Sequence, residues 1–211
     1  MLVFLHALPL DGRMWDAQRA VFSGSIAPTL YGLGPTLPAW ACRVVAQTRG
    51  RLVVVGNSVG VSCALEMARV AADRIDALVL VGGKAAVRHQ PDLREEYLSA
   101  LRSEGLHVAL DAITGPVGTR ARALAREQAV DDVAVGINAF HTRPDAAAVL
   151  AAFPRRVVVV QGELDGIGSV TRAAAMAASA PRGELVVVPD AGHYVNLDQP
   201  DVFNEIVASV G

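Results

Sequence analysis

Three residues in this chain have the types and settings for nucleophilic chemistry: Ser58, Asp165 and His193. Ser58 lies at the centre of Gly56-Asn57-Ser58-Val59-Gly60, directly after Leu52-Val53-Val54-Val55 and directly before Val61-Ser62-Cys63-Ala64-Leu65. The apolar run reads as a strand and the segment after the turn as a helix, so the serine falls on a sharp strand-to-helix reversal. Glycines on both sides suit such a reversal, because side chains there would collide with the neighbouring strand and helix. The amide of Val59, at the start of the helix, would point toward negative charge developing beside Ser58. A Gly/Ser-rich turn also suits a phosphate at a helix N-terminus. Taken alone, the turn leaves both readings open.

A serine hydroxyl needs a base to take its proton, and the base needs a group that orients it. His193 stands in Asp190-Ala191-Gly192-His193-Tyr194, just past the strand pattern 184–189. Asp165 stands in Gly162-Glu163-Leu164-Asp165-Gly166, just past the strand pattern 156–161. Singly, each reads as an ordinary loop residue. Ser, Asp and His in that chain order, each past the end of a strand pattern, form a set suited to acyl transfer. Glu163 and Asp190 are neighbouring turn acids that stay open as alternatives to Asp165.

The elements that must position these residues follow from the hydrophobic pattern. Six runs, 2–6, 25–30, 51–56, 76–81, 156–161 and 184–189, read as strands. Most are unbroken Val/Leu/Ile, which suits strands buried on both faces of a parallel sheet. Pro28 inside the second run marks it as an edge strand. Helical patterns at 11–22, 38–48, 59–72, 169–180 and 199–210 alternate with the strands. That rhythm predicts an α/β, doubly wound sheet. Residues 83–154 interrupt it with helical patterns at 92–104, 117–128 and 130–140, punctuated by Gly115-Pro116 and Arg143-Pro144-Asp145. This segment reads as a small helical cap inserted after the fourth strand.

Composition bounds the classes. The chain has 211 residues, 52% hydrophobic and 19% charged, which fits one α/β domain, 1–211, with a substantial core. No apolar run approaches the ~18–20 residues of a membrane helix. The N-terminus lacks a basic region and a cleavage site, so no signal peptide is expected. A net charge of −2 with scattered Lys and Arg argues against nucleic acid or an anionic membrane as partner. Two cysteines, Cys42 and Cys63, have no metal-type spacing and do not make a disulfide scaffold, so a cytoplasmic location is expected.

These motifs resemble the α/β-hydrolase family, in particular its compact branch of esterases, lactonases, carbon–carbon bond hydrolases and cofactor-free haloperoxidase-type enzymes. The residues carrying the resemblance are Leu5-His6-Ala7-Leu8-Pro9-Leu10, Gly56–Gly60, Gly162–Asp165 and Ala191-Gly192-His193, and it extends from about Leu2 to Val210. It implies Ser58 as nucleophile, His193 as base and Asp165 as its orienting acid, with the amides of Leu8 and Val59 as oxyanion hole. The chain departs from the family pattern at Ala7, where a glycine is usual, and begins without the usual N-terminal antiparallel hairpin. The sheet is therefore expected to have six strands in the order 2-1-3-4-5-6. Its order reverses between strands 1 and 3, where open α/β sheets place their sites. Leu8 and Ser58 would flank that crevice.

The expected activity is a serine hydrolase acting on a small, mostly apolar carboxylic ester or lactone through an acyl-enzyme. Carbon–carbon bond hydrolysis, cyclase or lyase chemistry, a biosynthetic thioesterase, and a non-catalytic binding protein on the same fold are the alternatives. Neither cofactor nor metal is implied, and the expected partner is a small-molecule substrate, with the chain a monomer or homodimer. Asn57, His141 and Trp15 are candidate pocket residues. Leu98, Leu101, Leu106, Val108, Leu110, Ile113 and Ile137 are the expected apolar lining from the cap. His6 is either an oxyanion-loop residue or a structural hydrogen-bonding one. Gly32-Leu33-Gly34 does not complete a dinucleotide loop, because Leu37 stands where a third glycine is needed.

Overall fold

The computed structural model of the protein describes residues 1–87, 90–111 and 117–210, and of Asp111 the backbone alone. Ile113 and the Gly115-Pro116 turn signal lie outside the described residues. Five parallel strands, β1 (Leu2–Leu5), β2 (Leu52–Asn57), β3 (Ile75–Val81), β4 (Arg156–Gly162) and β5 (Gly183–Val188), form one sheet in chain order. α1 (Asp16–Val21) and α2 (Leu37–Gln47) lie between β1 and β2, and α3 (Val59–Ala71) between β2 and β3. Between β3 and β4 come α4 (Pro91–Glu104), α5 (His107–Asp111), α6 (Thr119–Arg126), α7 (Val130–His141) and α8 (Ala147–Ala152). α9 (Val170–Ser179) precedes β5, and α10 (Val195–Asp198) and α11 (Pro200–Ala208) follow it.

The apolar runs of β1 to β4 are buried on both faces, successive side chains pointing to opposite sides, whereas β5, at the edge, is only partly covered. Val3, Leu5, Val54, Leu78, Leu80, Val157 and Val159 join the core under α3 and α9. Phe4, Val55, Val79, Val81, Val158 and Val160 join the opposite core with Trp15 and with Phe203 and Val207 of α11. The register aligns the C-terminal ends of the strands: Asn57 pairs with Val81, Val81 with Val160 and Gly162 with Val188. The residues that follow these positions, Ser58 among them, emerge on one edge of the sheet.

The strand expected second in the chain, at 25–30, is not formed, so the sheet has five strands rather than six and lacks the expected reversal of strand order. Ile26 makes a single parallel bridge to Val3, donating to the Leu2 carbonyl at 3.1 Å and accepting from the Phe4 amide at 2.8 Å. The next amide to reach this edge of β1 would be that of residue 28. Pro28 has no N–H, so the ladder stops after one rung. The predicted helix 11–22 is also interrupted. Residues Gly12–Trp15 form a 3₁₀ turn, capped by the Asp11 carboxylate, before α1.

The helices after β3 are held to the body by polar contacts. Arg13 binds the carboxylates of Asp11 and Glu127, and Gln128 Nε2 donates to Asp11 at 2.7 Å. α7 packs on α4 and α3, placing the α4–α7 pair above the strand ends.

Candidate active site

β2 ends at Asn57 and α3 begins at Val59, so Ser58 is the whole turn between them. Its backbone lies at φ 55°, ψ −111°, a region that costs a non-glycine residue on the order of 1–3 kcal/mol. Two backbone bonds hold it there. The Ser58 amide donates to the Val81 carbonyl at 2.9 Å, and its carbonyl accepts from the Val61 amide at 3.0 Å. The flanking glycines are required by space. A Cβ on Gly56 would run into the Gly60 carbonyl, and one on Gly60 into the Leu5 carbonyl. The strained turn lifts Ser58 out of the sheet onto the wall of a cavity of about 550 Å³, where it remains partly exposed.

His193 lines the same cavity. Its Nδ1 lies 3.0 Å from Asp165 Oδ2, and both residues are buried, 2% and 7% exposed. Asp165 is surrounded by donors. Oδ1 accepts from the amides of Ile167 at 2.9 Å and Gly168 at 3.1 Å, and Oδ2 also accepts from Gln161 Nε2 at 2.9 Å. Burial works to raise the pKa of this carboxyl. The hydrogen bond and charge of His193, with the Gly168 amide and Gln161, outweigh that and hold it down at about 2. An ionised acceptor at Nδ1 puts the ring proton on that nitrogen and leaves Nε2 as the basic atom. Glu163 and Asp190 do not take this place, since Asp165 is the carboxylate bonded to the ring.

Small residues make room for the pair. A Cβ on Gly82, at φ 56°, would come within 3.1 Å of His193 Nδ1, and one on Gly168 within 2.8 Å of Asp165 Oδ2. Gly192, next to the histidine, is fixed by Asp198, which accepts from its amide at 2.9 Å.

Leu8 lines the cavity, and Val59 provides the first amide of α3, one of the N–H groups that a helix leaves without an internal partner. Ala7 reaches this loop without a positive φ: among the described non-glycine residues only Ser58 and Asp190 have one. The glycine usual at this position is therefore not needed here. The Leu8–Pro9 peptide is cis. The Tyr194 hydroxyl donates to the Leu8 carbonyl at 2.9 Å, and that of Tyr31 to the Leu10 carbonyl at 2.7 Å.

Other candidates sort differently. His141 lines the cavity beside Tyr97 and Phe140. Asn57 does not. It is fully buried and its side-chain amide donates to the carbonyls of Val81 at 3.0 Å and His193 at 3.1 Å. Trp15 is also in the core, between Phe4 and Phe203, because the sheet face it covers lies away from the strand ends. His6 is structural. Its Nε2 accepts from the Leu30 amide at 2.8 Å, and burial pushes its pKa down to about 4, so the ring stays neutral. Cys63 is buried in the core and Cys42 is exposed.

The expected apolar lining is only partly present. Ile137 reaches the cavity, whereas Leu98, Leu101 and Leu110 are buried in the cores beneath the cap and Leu106 packs against one of them. Leu93, Tyr97, Ala109 and Phe140 line it instead, together with Lys84, Arg143 and Arg172. Gln161, Tyr194 and Arg143 went unassigned by sequence reasoning. Gln161 had a signal, a lone amide directly after the four valines of β4.

Among the described residues no His, Cys, Asp or Glu cluster is suited to hold a metal ion, and no helix is long and apolar enough to cross a membrane.

Comparison with known proteins agrees with this fold. The chain superposes on an esterase from Thermogutta terrifontis, in a malate-bound structure, with a TM-score of 0.87 at 26% identity, covering 99% of this chain and 88% of that one. A hydrolase from Pseudomonas aeruginosa is similar at a TM-score of 0.80 and 25% identity, over 99% of this chain and 89% of that one. The enol-lactonase from Burkholderia xenovorans shares the fold at 0.84 and 21% identity, over 99% and 90%. No curated protein matches the chain. The model of the alpha/beta hydrolase family matches residues 2–206, and the chain belongs to that family.

Proposed function

We propose that this protein is a serine hydrolase that cleaves a small carboxylic ester or lactone. The observation that carries the reading is the buried His193–Asp165 pair, 3.0 Å apart, whose histidine stands on the wall of the cavity where Ser58 is held at a positive φ. The esterase that is 26% identical over nearly the whole chain supports the ester class.

In this reading Ser58 Oγ attacks the substrate carbonyl carbon while His193 Nε2 takes its proton. Asp165 keeps the ring proton on Nδ1 and stabilises the imidazolium that forms. The amides of Leu8 and Val59 receive the oxyanion, a contribution typically worth about 100–1000-fold in rate per donor. Collapse expels the alcohol, protonated by His193, and leaves an acyl-Ser58. Water, activated by the same histidine, then releases the acid. A lactone opens by the same steps, its alcohol remaining attached to the acyl chain.

The test is covalent labelling. A fluorophosphonate probe is expected to modify the wild-type protein at Ser58 and to leave Ser58→Ala unlabelled. Turnover of short para-nitrophenyl esters is expected from the wild type. Absence of both labelling and turnover would defeat the reading.

A further inference from the structure

The lining of the cavity is electrically lopsided. Lys84, Arg143 and Arg172 lie on it with Ser58 and His193, and no Asp or Glu is among the described residues that line it. None of the three cations makes an ion pair within the described chain.

Arg143 is the unusual member, only 7% exposed. Its guanidinium lies over the Phe140 ring, 3.8 Å from the centroid, and Nη1 donates to the Phe140 carbonyl, while Nε is buried with no partner. Asp145, the acid whose charge acts on Arg143, is turned to other work. Its two oxygens accept from the amides of Val87 at 2.8 Å and Ala147 at 2.9 Å. The charge of Asp145 reaches Arg143 but no ion pair forms; a buried cation without a bonded partner is costly, and a guanidinium fork suits a carboxylate. Burial lowers the pKa of Arg143 to about 10 and lowers that of Lys84, which also feels Arg143 and Arg172. The cations repel one another across a shared space. Lys84 and Arg172 are exposed on the same lining, positioned to draw an anion toward Arg143.

We propose that the substrate carries a free carboxylate in addition to the carbonyl that Ser58 attacks, and that Arg143, assisted by Lys84 and Arg172, holds that carboxylate. The inference rests on the ester or lactone reading above and narrows its substrate class to half-esters of dicarboxylic acids and carboxylate-bearing lactones. It departs from the mostly apolar substrate that the cap's leucines suggest. The apolar lining then receives the methylene chain between the two functional groups.

The experiment compares mono(para-nitrophenyl) adipate with the neutral ester in which an isopropyl group replaces its free carboxylate. A charge-assisted hydrogen bond predicts a kcat/KM ratio of about tenfold or more in favour of the adipate half-ester. That ratio is expected to fall toward one in Arg143→Gln, to recover in part in Arg143→Lys, and to shrink in Lys84→Gln and Arg172→Gln. Equal or better turnover of the neutral ester by the wild type would overturn the proposal, as would a ratio untouched in all the neutralised variants. Because Arg143→Gln removes a buried group, adipate is also titrated calorimetrically into the Ser58→Ala protein. Binding that weakens in the Ser58→Ala/Lys84→Gln double variant supports the carboxylate site, and no binding overturns it. The titration needs no catalysis, so loss of the hydrolase reading and loss of the carboxylate site give different results.

Discussion

The side-chain amide of Asn57 donates to the main-chain carbonyl of His193 at 3.1 Å. The residue before Ser58 thus fixes the loop that carries the proposed base, across 136 positions of sequence. A second donation, to Val81, anchors both to β3. Asn57→Leu leaves these carbonyls without that donor inside the protein. It should destabilise the fold by about 1–3 kcal/mol and cut kcat more than KM rises, because the histidine loses its placement. Denaturant melts and steady-state kinetics on one ester check this. Unchanged kcat would mean that the loop is held by its other contacts.

Ser58 is strained where it stands. Ser58→Ala should fold and lose about three decades of kcat or more. Ser58→Gly should be equally inactive yet more stable than the wild type by roughly 1 kcal/mol, because glycine accepts φ 55° freely. A lower melting temperature for Ser58→Gly would show that the serine side chain, and not backbone strain, dominates at this position.

Asp165 is expected to link activity and acid stability. Its carboxyl lies near 2 in the folded protein against an ordinary 3.8. A depressed folded pKa gives stability that is complete above the unfolded value and is lost as pH falls through the folded one. Asp165 should contribute on the order of 2 kcal/mol above pH ~4, and this should disappear between pH ~4 and ~2. Asp165→Asn should therefore flatten the stability–pH curve in that window. It should also lower kcat by a factor on the order of ten thousand, since an amide facing Nδ1 favours the wrong tautomer. If Asp165→Asn is nearly silent while Glu163→Gln or Asp190→Asn is not, another acid orients the histidine.

Pro28 limits the open edge of the sheet. Substitution by valine restores an N–H at the next rung beside β1 and should lengthen the one-residue bridge at Ile26. The wild type is expected to be a monomer, and Pro28→Val to associate as concentration rises. Light scattering over a concentration series reads both. A wild-type dimer that survives Thr29→Lys would place the interface away from this edge.

The strand runs were legible because a strand buried on both faces leaves a continuous apolar segment, as in Val157–Val160. Ser58 was legible because a strand-to-helix turn with no room for side chains demands glycine at both 56 and 60. Asp165 and His193 were legible only as loop residues after strands. Their pairing depends on β4 lying beside β3 and β5, a long-range fact that local pattern does not carry. Residues 25–30 misled because a β-rich composition does not reveal which amide must face the neighbour; that this was the one at Pro28 depended on the register with β1.

The sequence by itself determined the alternation of elements and the three residues suited to acyl transfer, since both follow from local sterics and hydrophobic period. Only the tertiary structure decided the rest. It turned Asn57 inward and set Gln161 on Asp165. It buried Trp15 in the core and placed Arg143 on the cavity wall without an ion-pair partner among the described residues. A side chain's chemistry is written in its own residue. Its partners are set by which distant segments pack against it, and burial then decides what each unpaired charge must find.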